Sequence, residues 1–571
     1  MQFNPGSPLI VQGDGTVLLE VHNPLHEKAR DQLSRFAELE KSPEHIHTYR
    51  VTPLSIWNAA AAGLTGADIR RTLEGFSKYD VPTHIMVDIE ENLGRFGKVR
   101  LLPGNDEYVL LETSDPMVAR ELAHSREVIK LTSGAVREGV FRVPLGNRGV
   151  IKQALLKMHY PVADRAGFVD GAPLDVRLRP RTLEGTPFDL RAYQIEAVDT
   201  FYRSGGADGG HGVVVLPCGA GKTIVAMGTM AAARCHVLIL CTGIAAVRQW
   251  IRELLDKTNL TEEQVGEYSG EIKQVRPVTI TTYQILTHRK SGEETFTHLG
   301  LFKAGDWGMI IYDEVHLLPA PVFRITADIQ ARRRLGLTAT LVREDGREGD
   351  VFSLIGPKRY DVPWKELEDK GFIAEARCVE VRVELATNQL MRYTSAGERQ
   401  KVRIAAENPA KIDVVKELVD RHEGEHILII GMYLDQLKSI ARRFKVPLIT
   451  GKTPNATREE LYDSFRDGDI NVLVVSKVAN FSIDLPDANV AIQVSGTFGS
   501  RQEEAQRLGR ILRPKDAFAS FYSVVTRGTR EQHFAHKRQL FLTEQGYSYM
   551  IEEWDEEAGG IHAIDLASIS M

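Results

Sequence analysis

The chain of 571 residues has little cysteine and lacks long apolar runs. Its four cysteines (Cys218, Cys235, Cys241 and Cys378) are scattered without paired spacing. We therefore expect no disulfide framework and no zinc or iron–sulfur site. No apolar run approaches the roughly 18 residues that a membrane span needs. The segment from Met1 to Pro5 lacks a basic region and an apolar core, so no signal peptide is predicted and a cytoplasmic location is expected.

The chain also lacks an excess of positive charge. Its formal net charge is −6 and its pI is near 6.3, which argues against a globally basic nucleic-acid binder but allows a local basic groove. A hydrophobic content of 43% and a charged content of 26% are those of an ordinary globular protein. At about 100–200 residues per domain, this length predicts three or more domains.

A glycine-rich loop is the most informative feature present. The segment Leu216-Pro217-Cys218-Gly219-Ala220-Gly221-Lys222-Thr223 follows the apolar run Val213–Leu216 and precedes the helix-favouring segment Ile224–Ala233. A strand, a tight turn and a helix start together predict a phosphate cradle, because backbone N–H groups and the helix dipole face the anion. Lys222 is expected to reach the outer phosphates and Thr223 to hold Mg²⁺. The predicted nucleotide-binding residues here are Pro217, Cys218, Gly219, Ala220, Gly221, Lys222 and Thr223.

The loop departs from the general GxxxxGK[ST] pattern, which has a glycine where Leu216 stands. The shorter GxGKT form found here is typical of a group of nucleotide-driven motors.

Two adjacent carboxylates form a second candidate site. Asp313 and Glu314 follow the apolar strand Met309–Tyr312. Asp313 is predicted to hold Mg²⁺ through its water shell, and Glu314 to orient or deprotonate the water that attacks the γ-phosphate. Such a pair is a weak signal alone, but it becomes strong beside a phosphate cradle.

A third site lies in Gln506-Arg507-Leu508-Gly509-Arg510-Ile511-Leu512-Arg513. Arg510 and Arg513 are three residues apart and share one helix face. Such a pair can act as arginine fingers that offset the charge of a phosphoryl-transfer transition state. From these residues alone, a solvated basic helix is an equally good interpretation.

Short apolar runs alternate with helix-favouring segments after about residue 187, which is typical of parallel, doubly wound α/β sheets. The first series of runs is Val213–Leu216, Val237–Cys241, Val278–Thr281, Met309–Tyr312 and Leu335–Thr338. A second series after about residue 380 is Ile427–Ile430, Pro447–Ile449, Val472–Val475, Val490–Val494 and Phe521–Val525. We therefore predict two tandem α/β domains.

A mixed α+β region is predicted before these domains. Two hairpins are expected, at 9–21 and 98–111. A helical stretch at 52–78 is broken at Gly63, and Thr65 is the expected N-cap of its second half.

Residues 187–545 resemble a superfamily 2 helicase motor of two RecA-like lobes. The resemblance rests on motifs that occur in the family's order. They are Leu190–Gln194 as the adenine-reading Q-motif, the phosphate loop as motif I, Arg248-Gln249-Trp250 as Ia, Thr282-Tyr283-Gln284 as Ic, Asp313–His316 as the DExH box, Thr338-Ala339-Thr340 as III, Ser476–Pro486 as V and Gln506–Arg513 as VI.

Further segments resemble the XPB family. Arg343-Glu344-Asp345 matches its RED motif, and Phe481–Pro486, Ala505–Arg510 and His47–Pro53 match other family segments. Motif V has Phe481 and Ser482 where Arg-Gly is common in the wider superfamily, so contacts known from RNA helicases do not transfer here. The compact length, without long charged extensions, is similar to that of bacterial members.

The resemblance implies a DNA-dependent ATPase that uses ATP and Mg²⁺ to unwind DNA in the 3′→5′ direction, in DNA repair. Single-stranded DNA and forked duplexes are the implied partners, a partner nuclease is a further candidate, and no membrane partner is expected. The implied catalytic residues are Lys222, Asp313, Glu314, Gln506, Arg510 and Arg513. Arg191, Gln194 and Asp484 are implied to contact the nucleotide. DNA binding or coupling is assigned to Arg248, Thr282, Gln284, Thr338, Thr340, Arg343, Glu344, Asp345, Ser476, Lys477 and Asn480.

The implied division of the chain has five parts. They are an N-terminal XPB-like α+β region (1–112), a small mixed, damage-recognition-like unit (113–180), an ATP-binding RecA-like lobe (181–375), a second lobe (376–545) and a frayed acidic tail (546–571). A thumb element is expected near 387–409.

Three alternatives stand beside processive unwinding. One is a double-strand DNA translocase that remodels or melts DNA. Another is a nucleic-acid binding or annealing module in which ATP only sets the conformation. An RNA helicase fits the DExH and motif V variants less well, and an iron–sulfur helicase is excluded because the cysteine cluster is missing.

Overall fold

The computed structural model of the chain describes residues 3–41, 45–105, 107–166, 170–206, 209–217, 219–286, 288, 298, 301–318, 331–339, 348–362, 364–476, 488–496, 519–544, 547, 549–556 and 559–563. Backbone contacts divide the chain into two compact units, Met1–Leu216 with Gly221–Asp361 and Pro217–Ala220 with Val362–Met571.

The first unit begins with a small antiparallel sheet and four helices. The strands β1 (Leu9–Val11), β2 (Thr16–Glu20), β3 (Glu38–Lys41) and β4 (Ile46–Arg50) pair in the order β1-β2-β4-β3. The helices are α1 (His26–Leu33), α2 (Pro53–Ala62), α3 (Gly66–Phe76) and α4 (Thr83–Arg95). The predicted helix break is confirmed, because Gly63 ends α2 in the left-handed region and the Thr65 hydroxyl accepts a hydrogen bond from the Asp68 N–H, 3.2 Å away.

A five-stranded sheet follows in the described residues. Its strands are β5 (Val99–Leu102), β6 (Tyr108–Thr113), β7 (Ala135–Arg137), β8 (Val140–Pro144) and β9 (Val162–Asp164), in the order β7-β8-β6-β5-β9. Helices α5 (Pro116–His124), α6 (Arg126–Leu131) and α7 (Arg148–Lys157) accompany it.

The predicted boundary between residues 112 and 113 is wrong, because it falls inside β6. Leu111 of β6 pairs with Leu101 of β5 on one side and with Phe141 of β8 on the other. All three side chains pack into one buried cluster with residues of α5 and α7. The hairpin of β5 and β6 therefore belongs to the same sheet as the strands that follow it.

The first parallel sheet completes this unit. Its strands are β10 (His211–Val215), β11 (Val237–Cys241), β12 (Val265–Tyr268), β13 (Val278–Thr282), β14 (Met309–Asp313), β15 (Arg333–Thr338) and β16 (Lys358–Asp361), in the order β12-β13-β11-β14-β15-β10-β16. The accompanying helices are α8 (Ala192–Tyr202), α9 (Lys222–Ala233), α10 (Ile244–Lys257), α11 (Tyr283–Leu286), α12 (Leu301–Ala304) and α13 (Glu348–Leu354). All five strands predicted in this region are confirmed.

The second unit contains a sheet of eight described strands. They are β17 (Ala376–Val383), β18 (Ile427–Gly431), β19 (Leu448–Ile449), β20 (Val472–Ser476), β21 (Val490–Gln493), β22 (Ala519–Thr526), β23 (Tyr549–Asp555) and β24 (Gly560–Ala563), in the order β19-β20-β18-β21-β22-β17-β23-β24. Its helices are α14 (Trp364–Asp369), α15 (Thr387–Ser395), α16 (Glu398–Ala406), α17 (Lys411–Arg421), α18 (Leu434–Phe444), α19 (Asn455–Arg466) and α20 (Arg530–Glu544).

The two parallel sheets share one topology. If the strands of each sheet are numbered from its first strand along the chain, both sheets read 3-4-2-5-6-1-7, and the second adds an antiparallel eighth strand. The predicted thumb segment near 387–409 contains the helices α15 and α16. No helix in the described part of the chain is both long and apolar enough to cross a bilayer.

The expectation of a frayed, solvated tail is wrong for the described residues after 548. Strand β23 pairs in parallel with β17, with Val381 opposite Glu552. Glu552 is buried and accepts hydrogen bonds from Arg377 and Arg421. Glu552 belongs to an acidic run whose sequence alone is typical of a solvent-exposed segment. Its two arginine partners explain why it is buried in a strand instead.

Candidate nucleotide-binding site

The candidate site lies at the carboxyl edge of the first parallel sheet. Continuous apolar runs such as Val237–Cys241 form strands buried on both faces, so their polar residues are found at the strand ends. Strands β10 and β15 are neighbours, and the N–H of Leu216 donates a hydrogen bond to the carbonyl oxygen of Thr338, 3.0 Å away. Ligands of open α/β sheets bind at this edge, where the strand order reverses.

The predicted phosphate loop leads from β10 into α9. Gly219 and Gly221 have φ angles of 81° and 79°, in the left-handed region that glycine adopts without strain. Any side chain at position 221 would also meet its surroundings, because a Cβ there would lie 2.6 Å from Nε2 of Gln194. The Ala220 N–H donates to the Pro217 carbonyl oxygen at 3.2 Å. Helix α9 begins at Lys222, with Thr223 in its first turn.

The predicted adenine-reading residues lie at the start of α8. Gln194 is buried, and its Oε1 accepts a hydrogen bond from the Arg191 N–H at 2.9 Å. The Arg191 guanidinium and the Gln194 amide nitrogen lie 3.5 Å and 3.4 Å from the Tyr193 hydroxyl. Gln194 of the Q-motif and Gly221 at the end of the loop are thus neighbours within the first unit.

Lys222 and Glu314 form an ion pair at this edge. Nζ of Lys222 lies 3.5 Å from Oε1 of Glu314, and both side chains are only partly exposed, at 12% and 20%. Glu314 has a φ of 48°, which is uncommon outside glycine and is typical of functional positions. The chain turns at Glu314 into the short 3₁₀ segment Val315–Leu317.

His316 links this pair to the next strand. Its Nδ1 lies 3.5 Å from Oε2 of Glu314 and 2.6 Å from Oγ1 of Thr338. Residues of the phosphate loop, the DExH box and motif III are thereby connected by short contacts: Lys222, Glu314, His316 and Thr338.

Asp313 is partly buried and is held from two sides. Its Oδ2 accepts a hydrogen bond from Nε1 of Trp250 at 2.9 Å, and its Oδ1 accepts from the Glu314 N–H at 3.1 Å. The Tyr283 hydroxyl donates to the backbone carbonyl oxygen of Asp313 at 2.8 Å. Burial, and then the neighbouring Glu314 carboxylate, raise the pKa of Asp313 to about 6, while Trp250 and Lys222 oppose this rise.

This donor set fits a divalent cation. Mg²⁺ prefers oxygen ligands, and Asp313 offers a carboxylate whose ionised form is disfavoured by the protein around it, so a cation would relieve an existing imbalance.

The residues of the first lobe that were predicted to bind DNA or couple hydrolysis to movement have different environments. Arg248 on α10 is 59% exposed, with its Nε 4.0 Å from Oε2 of Glu267. Thr282 is buried at the end of β13, and its hydroxyl accepts from the Ile285 N–H at 3.4 Å. Gln284 is exposed on α11, one residue beyond Tyr283.

In the second unit, Ser476 ends β20 and is buried. Its hydroxyl has no hydrogen-bond partner in the part of the chain that the structure describes. The other predicted site residues lie outside the described residues: Cys218, Thr340, Arg343, Glu344, Asp345, Lys477, Asn480, Asp484, Gln506, Arg510 and Arg513.

Three residues around the carboxylates received no individual role from the sequence. Trp250, Tyr283 and His316 stand in the quoted motifs, but only the fold shows that they contact Asp313, Glu314 or Thr338. One signal in the sequence could have identified Trp250 and Tyr283. An indole or a phenol within a helicase motif combines an apolar body, which can be buried, with one hydrogen-bond donor, which then needs a partner.

Comparisons with protein families agree with this arrangement. Residues 187–343 match the family described as type III restriction enzyme, res subunit, and residues 367–561 match the ERCC3/RAD25/XPB C-terminal helicase. Residues 9–136 match a helicase conserved C-terminal domain. The first parallel sheet carries the phosphate loop, and the second parallel sheet has the same strand order. Together with the family matches, these features define the chain as a superfamily 2 helicase with two RecA-like lobes.

Relatives that match over nearly the whole chain identify the family within this superfamily. The chain is 53% identical to DNA 3′-5′ helicase XPB of Kineococcus radiotolerans, over 98% of each chain, and 52% identical to the protein of that name from Mycobacterium tuberculosis, over 97% of this chain and 99% of the relative. It is also 32% identical to the general transcription and DNA repair factor IIH helicase/translocase subunit XPB/SSL2 of Saccharomyces cerevisiae, over 95% of this chain and 71% of that one. The chain belongs to the XPB family.

Proposed function

We propose that this chain is an ATP-hydrolysing helicase that unwinds DNA in the 3′→5′ direction during DNA repair. The observation that carries ATP hydrolysis in this proposal is the Lys222–Glu314 pair, with Nζ and Oε1 3.5 Å apart beside the partly buried carboxylate of Asp313. The DNA substrate and the polarity are supported by the relatives named DNA 3′-5′ helicase XPB. Phosphoryl transfer requires a cation at the outer phosphates and a carboxylate for the attacking water, and this pair supplies both.

In this proposal, Lys222 binds the β- and γ-phosphates and Glu314 orients the attacking water. Without nucleotide the two side chains neutralise one another, and the γ-phosphate would take over the Lys222 contact and release the Glu314 carboxylate. Arg191 and Gln194 read the adenine, and Asp484 also contacts the nucleotide. The loop from Pro217 to Gly221, including Cys218, is proposed to surround the phosphates, with backbone N–H groups supplied by residues after Pro217, which has none.

Thr223 and Asp313 would hold Mg²⁺, which would supply positive charge against the charge that develops on the transferred phosphoryl group. Gln506, Arg510 and Arg513 complete the catalytic set from the second lobe. A charge supplied from the second lobe would make hydrolysis depend on lobe closure, which is how hydrolysis can drive movement along DNA.

Each lobe is proposed to hold a DNA strand through contacts to its sugar–phosphate backbone, which do not depend on the base sequence. We assign these contacts to the lobes at 181–375 and 376–545, through Arg248, Thr282, Gln284, Ser476, Lys477 and Asn480. Thr338 and Thr340 belong to the coupling segment instead, since Thr338 is fully buried and its hydroxyl lies 2.6 Å from Nδ1 of His316. Arg343, Glu344 and Asp345 couple hydrolysis to strand separation. Single-stranded and forked DNA are the proposed substrates, with a cytoplasmic location and a partner nuclease as further parts of the proposal.

A strand-displacement assay tests the direction of movement. Duplexes that carry a 3′ tail, a 5′ tail or a fork are compared with ATP and with a non-hydrolysable analogue. We expect ATP-dependent displacement on the 3′-tailed and forked substrates and almost none on the 5′-tailed one. Displacement confined to the 5′-tailed duplex would overturn the proposed polarity.

A duplex translocase is the second candidate, since the yeast relative is named a helicase/translocase subunit. A translocase would displace a third strand from a blunt-ended triplex without separating the duplex beneath it. Triplex displacement together with inactivity on all tailed duplexes would favour this candidate over the helicase.

A further inference from the structure

Two buried aromatic side chains donate hydrogen bonds to the proposed magnesium ligand. The indole of Trp250 donates to Oδ2 of Asp313 at 2.9 Å, and the hydroxyl of Tyr283 donates to the backbone carbonyl oxygen of the same residue at 2.8 Å. Trp250 is 2% exposed and Tyr283 is 3% exposed. One donor therefore fixes the carboxylate and the other fixes the peptide unit that carries it, so the two together set the position of Asp313.

The hydrogen bond of Tyr283 spans part of the first parallel sheet. Tyr283 directly follows β13 and Asp313 ends β14, and β11 lies between these two strands. Neighbouring strands lie roughly 4.8 Å apart, so the tyrosine bridges a gap of roughly 10 Å between β13 and β14. The position of α11 and the position of the end of β14 therefore depend on one another.

Each of these aromatic residues shares a short helix with an exposed residue that the sequence assigns to DNA. Arg248 precedes Trp250 by two positions on α10, and residues two positions apart point to nearly opposite sides of a helix. The side chain of Arg248 is 59% exposed. Gln284 is exposed and directly follows Tyr283 on α11. A DNA strand bound to Arg248 and Gln284 would therefore hold the two helices that carry the donors.

Helix α11 also packs beneath the carboxylates of the nucleotide site. Tyr283 belongs to the buried cluster that contains Tyr312 and Val315. In the sequence, these two residues flank Asp313 and Glu314. Because closely packed interiors transmit strain, a shift of α11 would be passed to both carboxylates.

We propose that Trp250 and Tyr283 are positioning residues through which bound DNA stimulates ATP hydrolysis; we call this pair the aromatic relay. The inference rests on the proposed function, because it takes Arg248 and Gln284 as contacts to DNA. DNA would favour the arrangement of α10 and α11 in which both donors are engaged and Asp313 is oriented as a metal ligand. DNA can shift this equilibrium only by binding one arrangement more tightly, so nucleotide binding must tighten DNA binding in return.

The first test measures ATP hydrolysis by the full-length protein, without DNA and with saturating single-stranded DNA. Tyr283→Phe keeps the aromatic ring and loses only the hydroxyl. We expect the ratio of the two rates to fall by roughly twofold to tenfold in this variant, which is the range that one hydrogen bond between neutral groups contributes. Trp250→Phe, which removes the other donor of the aromatic relay, should lower the same ratio.

Tyr312→Phe is the matched control. Tyr312 is fully buried in β14, directly before Asp313, and its hydroxyl has no hydrogen-bond partner in the part of the chain that the structure describes. This variant should keep the ratio of the unaltered protein, and the midpoint of thermal unfolding shows whether each variant is folded. Equal falls of the ratio in Tyr312→Phe and Tyr283→Phe would overturn the proposal, because the hydrogen bond to Asp313 would then have no specific effect.

A second readout does not depend on turnover. The affinity for a labelled DNA strand is measured by fluorescence anisotropy, with and without Mg²⁺ and a non-hydrolysable ATP analogue. We expect the analogue to tighten DNA binding by the unaltered protein, and we expect this gain to shrink severalfold in Tyr283→Phe and Trp250→Phe. A loss of affinity that is the same with and without the analogue would overturn the proposal, because the variants would then affect DNA binding alone.

The two assays distinguish failure of the aromatic relay from failure of the proposed function. If the unaltered protein hydrolyses ATP at the same rate with and without DNA, the DNA-dependent motor and the aromatic relay are both wrong. If DNA stimulates the unaltered protein, Tyr283→Phe and Trp250→Phe by the same factor, the aromatic relay alone is wrong and the proposed function stands.

Discussion

The indole of Trp250 donates a hydrogen bond to the carboxylate of Asp313, with Nε1 and Oδ2 2.9 Å apart, although the two residues are 63 positions apart in the chain. Trp250 is almost wholly buried on α10 and Asp313 ends β14, so a helix of the first lobe holds the proposed magnesium ligand in one orientation. The same hydrogen bond favours the ionised carboxylate against the effect of burial.

Replacing this donor should impair hydrolysis more than nucleotide binding. In Trp250→Phe the Asp313 carboxylate loses its side-chain donor, which contributes roughly 1.5–3 kcal/mol when it bonds a charged group. We expect DNA-stimulated kcat to fall roughly tenfold or more with a small change in KM for ATP. Trp307→Phe is the matched control, because Trp307 is equally buried but donates to the Leu301 carbonyl oxygen, 3.0 Å away. Equal losses in the two variants would show that packing alone is responsible.

The two members of the ion pair should fail differently. Lys222→Ala should abolish ATP hydrolysis and unwinding, since a positive charge is lost where the transition state is most negative, with a rate loss of roughly 10³-fold or more. Glu314→Gln keeps the side-chain size but cannot accept the water proton, so it should retain bound ATP after a single mixing. Steady-state hydrolysis assays measure the loss of turnover, and filter binding of labelled ATP measures the ATP that each variant retains. Normal turnover in either variant would contradict the site assignment.

The segment Arg343-Glu344-Asp345 is expected to couple hydrolysis to strand separation. A triple alanine variant should fold and hydrolyse ATP near normally, because a solvated turn tolerates alanine within about 0.5 kcal/mol. It should nevertheless open fewer base pairs for each ATP consumed on a 3′-tailed duplex. A ratio equal to that of the unaltered protein would identify these residues as an ordinary surface turn.

Lys152 should make the stability of the first unit depend on pH. Burial lowers its pKa to about 7 in the folded protein, from 10.5 in the unfolded chain, and the Asp164 carboxylate opposes this effect. Between these values the unfolded state binds the extra proton, so the free energy of unfolding should rise with pH from about 7 to about 10. The midpoint of thermal unfolding is compared with that of Lys152→Met. As pH rises, the unfolding midpoint of the unaltered protein should increase relative to that of Lys152→Met. A constant difference between the two midpoints across this pH range would contradict the shifted pKa of Lys152.

The sequence was most informative about central strands. All ten apolar runs predicted as strands lie in the two parallel sheets, because a strand covered by helices on both faces must be apolar throughout. The edge strands β12 and β16 were missed, since sequences such as Lys358-Arg359-Tyr360-Asp361 carry charged residues. Strand β17 was missed for the same reason, although it is central in its sheet, because Ala376–Val383 contains Arg377, Glu380 and Arg382. Strand β23 was missed because its acidic residues are typical of a solvated segment until their arginine partners are known.

Contacts in the site between residues that are far apart in the sequence could not be predicted. The motifs identified Lys222, Asp313 and Glu314 because the phosphate loop and the carboxylate pair each come shortly after an apolar strand in the sequence. The contacts of Trp250 and His316 depend on which strands are neighbours, which periodicity does not reveal. The three buried cations that lie within 3.3 Å of the Asp164 carboxylate were missed for the same reason, as they come from α7 and β15.

The identical strand order of the two lobes gives each turn of one lobe a counterpart in the other. The counterpart of the phosphate loop is the turn after β17, which reads Glu384-Leu385-Ala386-Thr387. It has no glycine and no lysine, and it begins with a carboxylate that would repel a nucleotide. Of these two corresponding turns, only the one after β10 has the glycines and the lysine that a phosphate cradle needs, so we expect the chain to bind a single ATP.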